Sequence, residues 1–357
     1  DEAERAYDAI RQAALETGGA DDPLAMMALS NLAALRFDQQ RPDEAETLVR
    51  QSLADHCRVL GADHLDTLVE MNNLATILRA RGELDEAKQL YRRVLEIQTQ
   101  QLGESAPATL ITRHNLGRLL QASGELDLAV DILTETLARQ RDVLGDDHSH
   151  TLATMSTLAH ALTAMGRTDE AIRRLHESLE IQQRVLTRGH PDVLTTMQRL
   201  AKALETSERR DEAASQFQRL IELKTETLGA EHESTLLSMT ELGFTLLDDE
   251  RTDEAEMCFS RIVAIAEQTR AEDDLYTAMF RSNYGRCLTA MQRYEAAEPH
   301  LLHGYDVTKN TLGDQHQATI AAAERLADLY TAWGKPDQAK TFKDIAAAAE
   351  ADNSRPD

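Results

Sequence analysis

Five histidines, His64, His148, His190, His232 and His316, are separated from one another by multiples of 42 residues. Imidazole is the commonest side chain in protein metal sites, and a closed zinc site needs four ligands brought together. One histidine per period instead spreads the rings a whole repeat apart, which points to a structural place at the start of a helix. Two local clusters, Asp146-Asp147-His148-Ser149-His150 and His300 with His303, lack the further ligands that would close a site. Cys57, Cys258 and Cys287 have no CxxC spacing and are odd in number, so no disulfide framework is implied and a reducing, cytoplasmic compartment suits them. The chain contains no glycine-rich phosphate loop, GxSxG elbow, HExxH helix or kinase HRD or DFG element. Its carboxylates fall mainly on the polar faces of periodic segments, as solvated helix surface does. No catalytic residue, metal or cofactor is expected, and the chain reads as a non-enzyme.

Charge narrows the partners. Among 357 residues, 62 are acidic and 38 basic, and the formal charge of −24 repels nucleic-acid phosphates and anionic lipid headgroups. There is no run of 18 apolar residues and no basic-then-apolar leader at the N-terminus. A hydrophobic fraction of 42 % with only 4 % aromatics suits stacked helices lined by alanine and leucine.

The elements that position these residues are set by an internal repeat. Leu60-Gly61 with His64 and Thr67-Leu68 returns as Leu102-Gly103 with Thr109-Leu110, and as Leu144-Gly145 with His148 and Thr151-Leu152. It continues at Leu186 with His190, Leu228-Gly229 with His232 and Leu312-Gly313 with His316, in an unbroken 42-residue register. A second marker, Asp43-Glu44-Ala45, Asp85-Glu86-Ala87 and their successors to Asp337-Gln338-Ala339, holds the same phase. Within a unit, Leu68, Met71, Leu74, Ala75 and Leu78 share one face of a helix A. Ala87, Leu90, Tyr91, Val94 and Leu95 share one face of a helix B that opens at Asp85. The glycines at 61, 103, 145 and 229 stand where helix B needs a left-handed residue to stop. Each helix leaves an apolar stripe that only the next unit covers, so the units stack into a solenoid.

The stretch from Leu60 through Asp66-Thr67, Met71-Asn72-Asn73-Leu74-Ala75, Gly82, Asp85-Glu86-Ala87, Leu90-Tyr91 and Val94-Leu95 resembles the tetratricopeptide (TPR) unit. The likeness is to the 42-residue form typical of kinesin light chains and of many bacterial multi-repeat proteins, and it covers essentially the whole chain. It implies an all-α TPR superhelical solenoid of about eight and a half helix-turn-helix repeats, with the extra length over the common form mainly at the end of helix B. An orphan helix B is expected at 1–17, then repeats at 18–59, 60–101, 102–143, 144–185, 186–227, 228–269, 270–311 and 312–349, and a polar disordered tail at 350–357. The unit at 270–274 lacks the Leu-Gly-His motif, so looser stacking is expected there; Arg113 and Arg281 replace a core methionine and should snorkel.

In TPR folds the A helices line a concave groove, and the resemblance places its side chains at the second, fifth, ninth, twelfth and thirteenth positions of each unit. On that register the peptide-binding candidates are Asn72, Thr76, Arg79, His114, Arg118, Gln121, Ser156, His160, Gln198, Lys202, Phe244 and Arg286. Arg79, Arg118 and Lys202 give a mildly basic wall, and Phe244 an apolar anchor, so the expected ligand is a peptide with acidic residues. The carboxylate-clamp residues that hold chaperone tails in this family are incomplete: Asn73 and Asn115 supply only its middle element. The expected function is a non-catalytic scaffold for a protein or peptide partner, without nucleic acid or membrane. The alternative is a docking region of a larger bacterial enzyme, such as a Ser/Thr kinase or peptidase, whose catalytic domain lies outside this chain.

Overall fold

A computed structural model describes residues 2–353, and among them there are helices and turns but no strand. The described residues divide into two compact units that part between Val185 and Leu186. The first holds α1 (Glu2–Gly18), α2 (Pro23–Asp38), α3 (Pro42–Leu60), α4 (Leu65–Arg81), α5 (Leu84–Leu102), α6 (Pro107–Ala122), α7 (Leu126–Leu144), α8 (Ser149–Ala164) and α9 (Thr168–Val185). The second holds α10 (Pro191–Thr206), α11 (Arg210–Leu228), α12 (Glu233–Asp248), α13 (Thr252–Thr269), α14 (Leu275–Ala290), α15 (Tyr294–Leu312), α16 (Gln317–Ala332) and α17 (Pro336–Asn353). The result is an all-α solenoid in which even-numbered helices are A and odd-numbered helices B. Helix α17 runs to Asn353, so the tail expected at 350–357 is helical in its first four residues; 354–357 and Asp1 lie outside the described residues.

The recurring motif turns out to be the joint between units. His64, His148, His190, His232 and His316 each cap an A helix, the ring Nδ1 accepting from the backbone N–H two residues on at 3.1–3.2 Å. Thr67, Thr109, Thr151 and Thr235 donate Oγ1–H to the carbonyl of the glycine six residues earlier at 2.7–2.9 Å. That glycine is not left-handed helical, as its sequence position implied: Gly103 has φ 88° and ψ 164°, a region essentially reserved for glycine. The left-handed residue lies instead at the end of each A helix, as at Gly82 with φ 85° and ψ 6°. There the backbone closes a bond to the carbonyl five residues back, Glu83 to Leu78, Arg209 to Leu204 and Arg293 to Leu288, each at 2.9 Å.

Within the first unit, from α1 to α9, and within the second, from α10 to α17, each helix packs on the one that follows it, and A helices also touch the next A helix directly: α2 with α4, α4 with α6 and α6 with α8 in the first unit, α12 with α14 and α14 with α16 in the second. Small residues permit the approach: Gly117 lies against Leu133 and Gly285 against Leu301, where an added Cβ would stand 2.6 Å from the leucine Cγ. One core joins Leu74, Leu78, Tyr91, Leu116, Leu119 and Ala129 in the first unit. In the second, Tyr294, Tyr305, Tyr330, Trp333 and Phe342 close the end of the stack with ring centroids 5.5–6.3 Å apart. Stacking is not loosened near 270. Asp274 takes over the cap, accepting from the Thr277 N–H at 2.9 Å, and Phe280 and Ala266 are buried as core. Arg113 and Arg281 reach past the core to Glu135 and Glu267 respectively.

Candidate functional site

In the first unit the sequence-selected side chains occur on α4, α6 and α8, and bonds between consecutive A helices join them into a row. Asn72 donates its amide to Thr112 Oγ1 at 2.8 Å, and that hydroxyl donates to the buried Gln98 Oε1 at 2.7 Å. His114 Nδ1 lies 2.9 Å from Thr154 Oγ1, and Gln121 hydrogen-bonds the His160 ring at Nδ1. Thr76 Oγ1 lies 2.8 Å from the hydroxyl of the fully buried Tyr91, which Arg79 also approaches. Arg118 is exposed and Ser156 is buried.

The electrostatics of this row are positive. Burial, followed by the charges of Arg118, His150 and Arg79, pulls His114 down to about 4, so its ring is neutral at pH 7. Burial raises Tyr91, and the charges of the same two arginines work against that rise. Arg79 and Arg118, 39 positions apart, therefore act on one place between α4 and α6.

The four candidates in the second unit are more engaged with their neighbours. Gln198 accepts from the Lys224 ammonium at 3.2 Å. Lys202 is held by Glu205 at 3.0 Å and by Glu241 on α12, so its charge is offset and the basic wall read from the sequence does not extend through it. Phe244 meets Phe259 edge-on at 5.1 Å, and the Arg286 guanidinium stands 4.6 Å from its ring centroid, so one face of the expected apolar anchor is taken by a cation. Sequence reasoning missed the supporting residues Thr112, Thr154, Gln98 and Tyr91. For Thr112, Thr154 and Gln98 the signal is a polar residue recurring at fixed phase on otherwise apolar faces; Tyr91 stands where other repeats have Val49, Leu133, Leu175 and Phe217 and carries no such signal.

Among the described residues no group of three or more His, Cys, Asp or Glu side chains is placed to hold a metal ion. No helix is long and apolar enough to cross a membrane. Cys57, Cys258 and Cys287 are unbridged.

Six overlapping segments, 25–100, 66–142, 108–181, 150–226, 233–310 and 276–343, match the tetratricopeptide repeat family. No curated protein matches the chain. A kinesin-light-chain-like protein of Podosopora anserina with nearly identical TPR-like repeats is 30% identical, over 58% of this chain and 99% of that one, with a TM-score of 0.55. BtubC from P. vanneervenii is 18% identical over 64% of this chain and 90% of its own, TM-score 0.54. The quorum sensor NprR of B. thuringiensis in its apo form is 11% identical over 92% and 88%, TM-score 0.61, a likeness of fold alone. The register, the helix pairs and the family match agree: this chain belongs to the tetratricopeptide repeat family.

Proposed function

We propose that the row on α4, α6 and α8 binds an acidic, extended segment of a partner protein. As a TPR protein of kinesin-light-chain-like repeats, the chain is a non-catalytic scaffold for a protein or peptide. The observation that supports the acidic partner is the convergence of Arg79 and Arg118 on His114 and Tyr91, a local positive field within a chain of net charge −24. Asn72, Gln121 and His160 lie along the same row and supply amide and imidazole groups for a peptide backbone. The candidates of the second unit, Gln198, Lys202, Phe244 and Arg286, have by themselves a more neutral, partly aromatic character. The net charge speaks against nucleic acid or an anionic membrane as the partner. A cytoplasmic setting and kinship with the bacterial multi-repeat members of the family belong to the same proposal, supported by the unbridged thiols and by the sequence motif.

The test is selection of a displayed random peptide library on the wild-type protein, followed by fluorescence anisotropy with the enriched peptides. Acidic peptides should dominate, and an Arg79→Glu, Arg118→Glu variant with unchanged circular dichroism should bind them at least about tenfold more weakly, the loss of about 1.4 kcal/mol that reversing a recognition charge readily produces. Enrichment of peptides without acidic residues, or undiminished binding by the variant, refutes the proposal.

A further inference from the structure

A cavity of about 600 Å³ opens between α2, α3 and α4, a size within the usual range for ligand pockets. Its walls are apolar and unusually exposed: Met27 on α2, Val59 on α3 and Val69 on α4 all face it. Its floor is polar. Glu70 is only 3% exposed, and its Oε2 is buried without a hydrogen-bond partner. Beside it His56, 7% exposed, uses Nδ1 on the Ser52 carbonyl at 2.8 Å, which puts the ring proton on Nδ1 and leaves Nε2 as an acceptor.

In two sibling repeats these two positions bond to each other. The residue one period after Glu70 is Thr112, which donates to Gln98, one period after His56, at 2.7 Å. Farther along, Ser238 and Lys224 occupy the same positions and bond at 2.8 Å. The third position of helix A is Thr112, Thr154, Thr196 and Ser238 in four consecutive repeats, and an acid only at Glu70. Where those two sibling repeats join a donor to an acceptor, this one sets two acceptors at the bottom of an apolar cavity. A buried carboxylate oxygen without a donor is costly, and the group that relieves it is a cation with N–H bonds to give.

We infer that the cavity is a subsite for a lysine or arginine side chain of a partner polypeptide, its aliphatic stem against Met27, Val59 and Val69 and its charged head on Glu70 and His56. The apolar walls fit a long stem and the unpaired acid fits the head, which together select a basic side chain over an acidic or a purely apolar one. Asp66 at the rim adds further negative charge. The cavity is continuous with the proposed binding row, since Met27 and Val69 hold the second position and Ser30 the fifth, the register of Asn72. The inference rests on the peptide-binding reading for that continuity, and it gives the partner a basic residue beside its acidic stretch.

Met26 and Met27 line the cavity, so their methyl groups report on it. Protein labelled with ¹³C at methionine methyls is titrated with N-acetyl-lysine methylamide, N-acetyl-norleucine methylamide and free cadaverine. The lysine derivative should shift the Met26 and Met27 signals saturably, with norleucine at least about tenfold weaker, the ratio expected when a buried charge pair is lost. Glu70→Gln should abolish that preference. Glu70→Thr, which installs the residue of the sibling repeats, should also lose it while melting no lower than the wild type. Equal shifts with norleucine, unchanged lysine binding by Glu70→Gln, or no saturable shift at all would overturn the subsite. Tighter binding of cadaverine than of the lysine derivative would overturn the peptide assignment in favour of a small amine. None of these residues is altered in the Arg79, Arg118 variant, so the two proposals fail separately.

Discussion

Lys224 on α11 is 3% exposed and has no carboxylate beside it, yet its ammonium is fully coordinated. It donates to Ser238 Oγ at 2.8 Å and to Gln198 Oε1 and the Ser234 carbonyl at 3.2 Å, using all three of its protons. Three repeats place Gln98, Gln140 and Gln182 at the same position, so Lys224→Gln is a substitution the fold already accommodates. Replacing a buried ion pair by well-packed neutral side chains is often neutral or stabilising by about 1–4 kcal/mol, and a lone buried ammonium carries the same kind of desolvation cost. Here charge-assisted bonds worth roughly 1.5–3 kcal/mol each offset much of the desolvation, which puts the expected gain at the low end, about 1 kcal/mol at pH 7. Burial lowers the Lys224 pKa from its ordinary 10.5, so between the folded value and 10.5 the unfolded chain binds more protons than the native one. Wild-type stability contributed by this group therefore rises with pH across that window, and the advantage of Lys224→Gln shrinks as pH approaches 10.5. Urea midpoints from circular dichroism, taken for both proteins from pH 7 upward, measure the difference. A wild type more stable than Lys224→Gln at pH 7, or a difference that does not fall with pH, refutes the reasoning.

Two further substitutions read the backbone and the buried polar column. Gln40, Glu208, Glu250 and Gln292 end A helices with φ of 58–60° where sibling repeats use glycine, and all four are exposed. A left-handed non-glycine residue costs roughly 1–2 kcal/mol and glycine returns part of this as chain entropy, so each change to glycine should stabilise by about 0.5–1 kcal/mol in urea unfolding. Gln140 is fully buried with neither amide atom hydrogen-bonded, and Gln140→Met, of similar length, should raise stability by about 1–2 kcal/mol; a loss of that size would mean the amide has a partner in solution.

Much of the architecture is legible because a 42-residue register repeats both helix stripes and both helix stops. Leu68, Leu74 and Leu78 are core where the three- and four-residue spacing puts them, and the paired B helices open at the Asp-Glu-Ala marker. The conformation of the stops is less legible. Glycine at 103 and glycine at 82 look alike in sequence, but one sits at ψ 164° and the other at ψ 6°, because one must turn the chain into the capping loop and the other directly into helix B. The site is less legible still. Side chains meet between A helices at separations of 39–40 residues, as in Asn72 with Thr112, Gln121 with His160, Lys202 with Glu241 and Glu205 with Thr245. These offsets are slightly shorter than the repeat because neighbouring helices are displaced along one another. A register that names the groove positions does not by itself reveal that Glu241 offsets Lys202, or that Arg286 covers Phe244.

In a repeat protein, a requirement of the fold returns every period, so a residue that departs from most of its siblings has a local cause. Arg113 and Arg281 depart from methionine, and each finds a carboxylate, Glu135 and Glu267, beyond the core. Lys224 departs from glutamine, and three oxygens surround it. Asp274 departs from histidine and performs the same cap. These departures are answered within the chain. Glu70 faces a cavity whose other buried polar side chain, His56, also offers an acceptor, and Arg79 and Arg118 impose a positive field on a histidine that burial already keeps neutral. Under the two proposals the opposite signs at these places give the partner a basic side chain toward α2 and acidic ones toward α6.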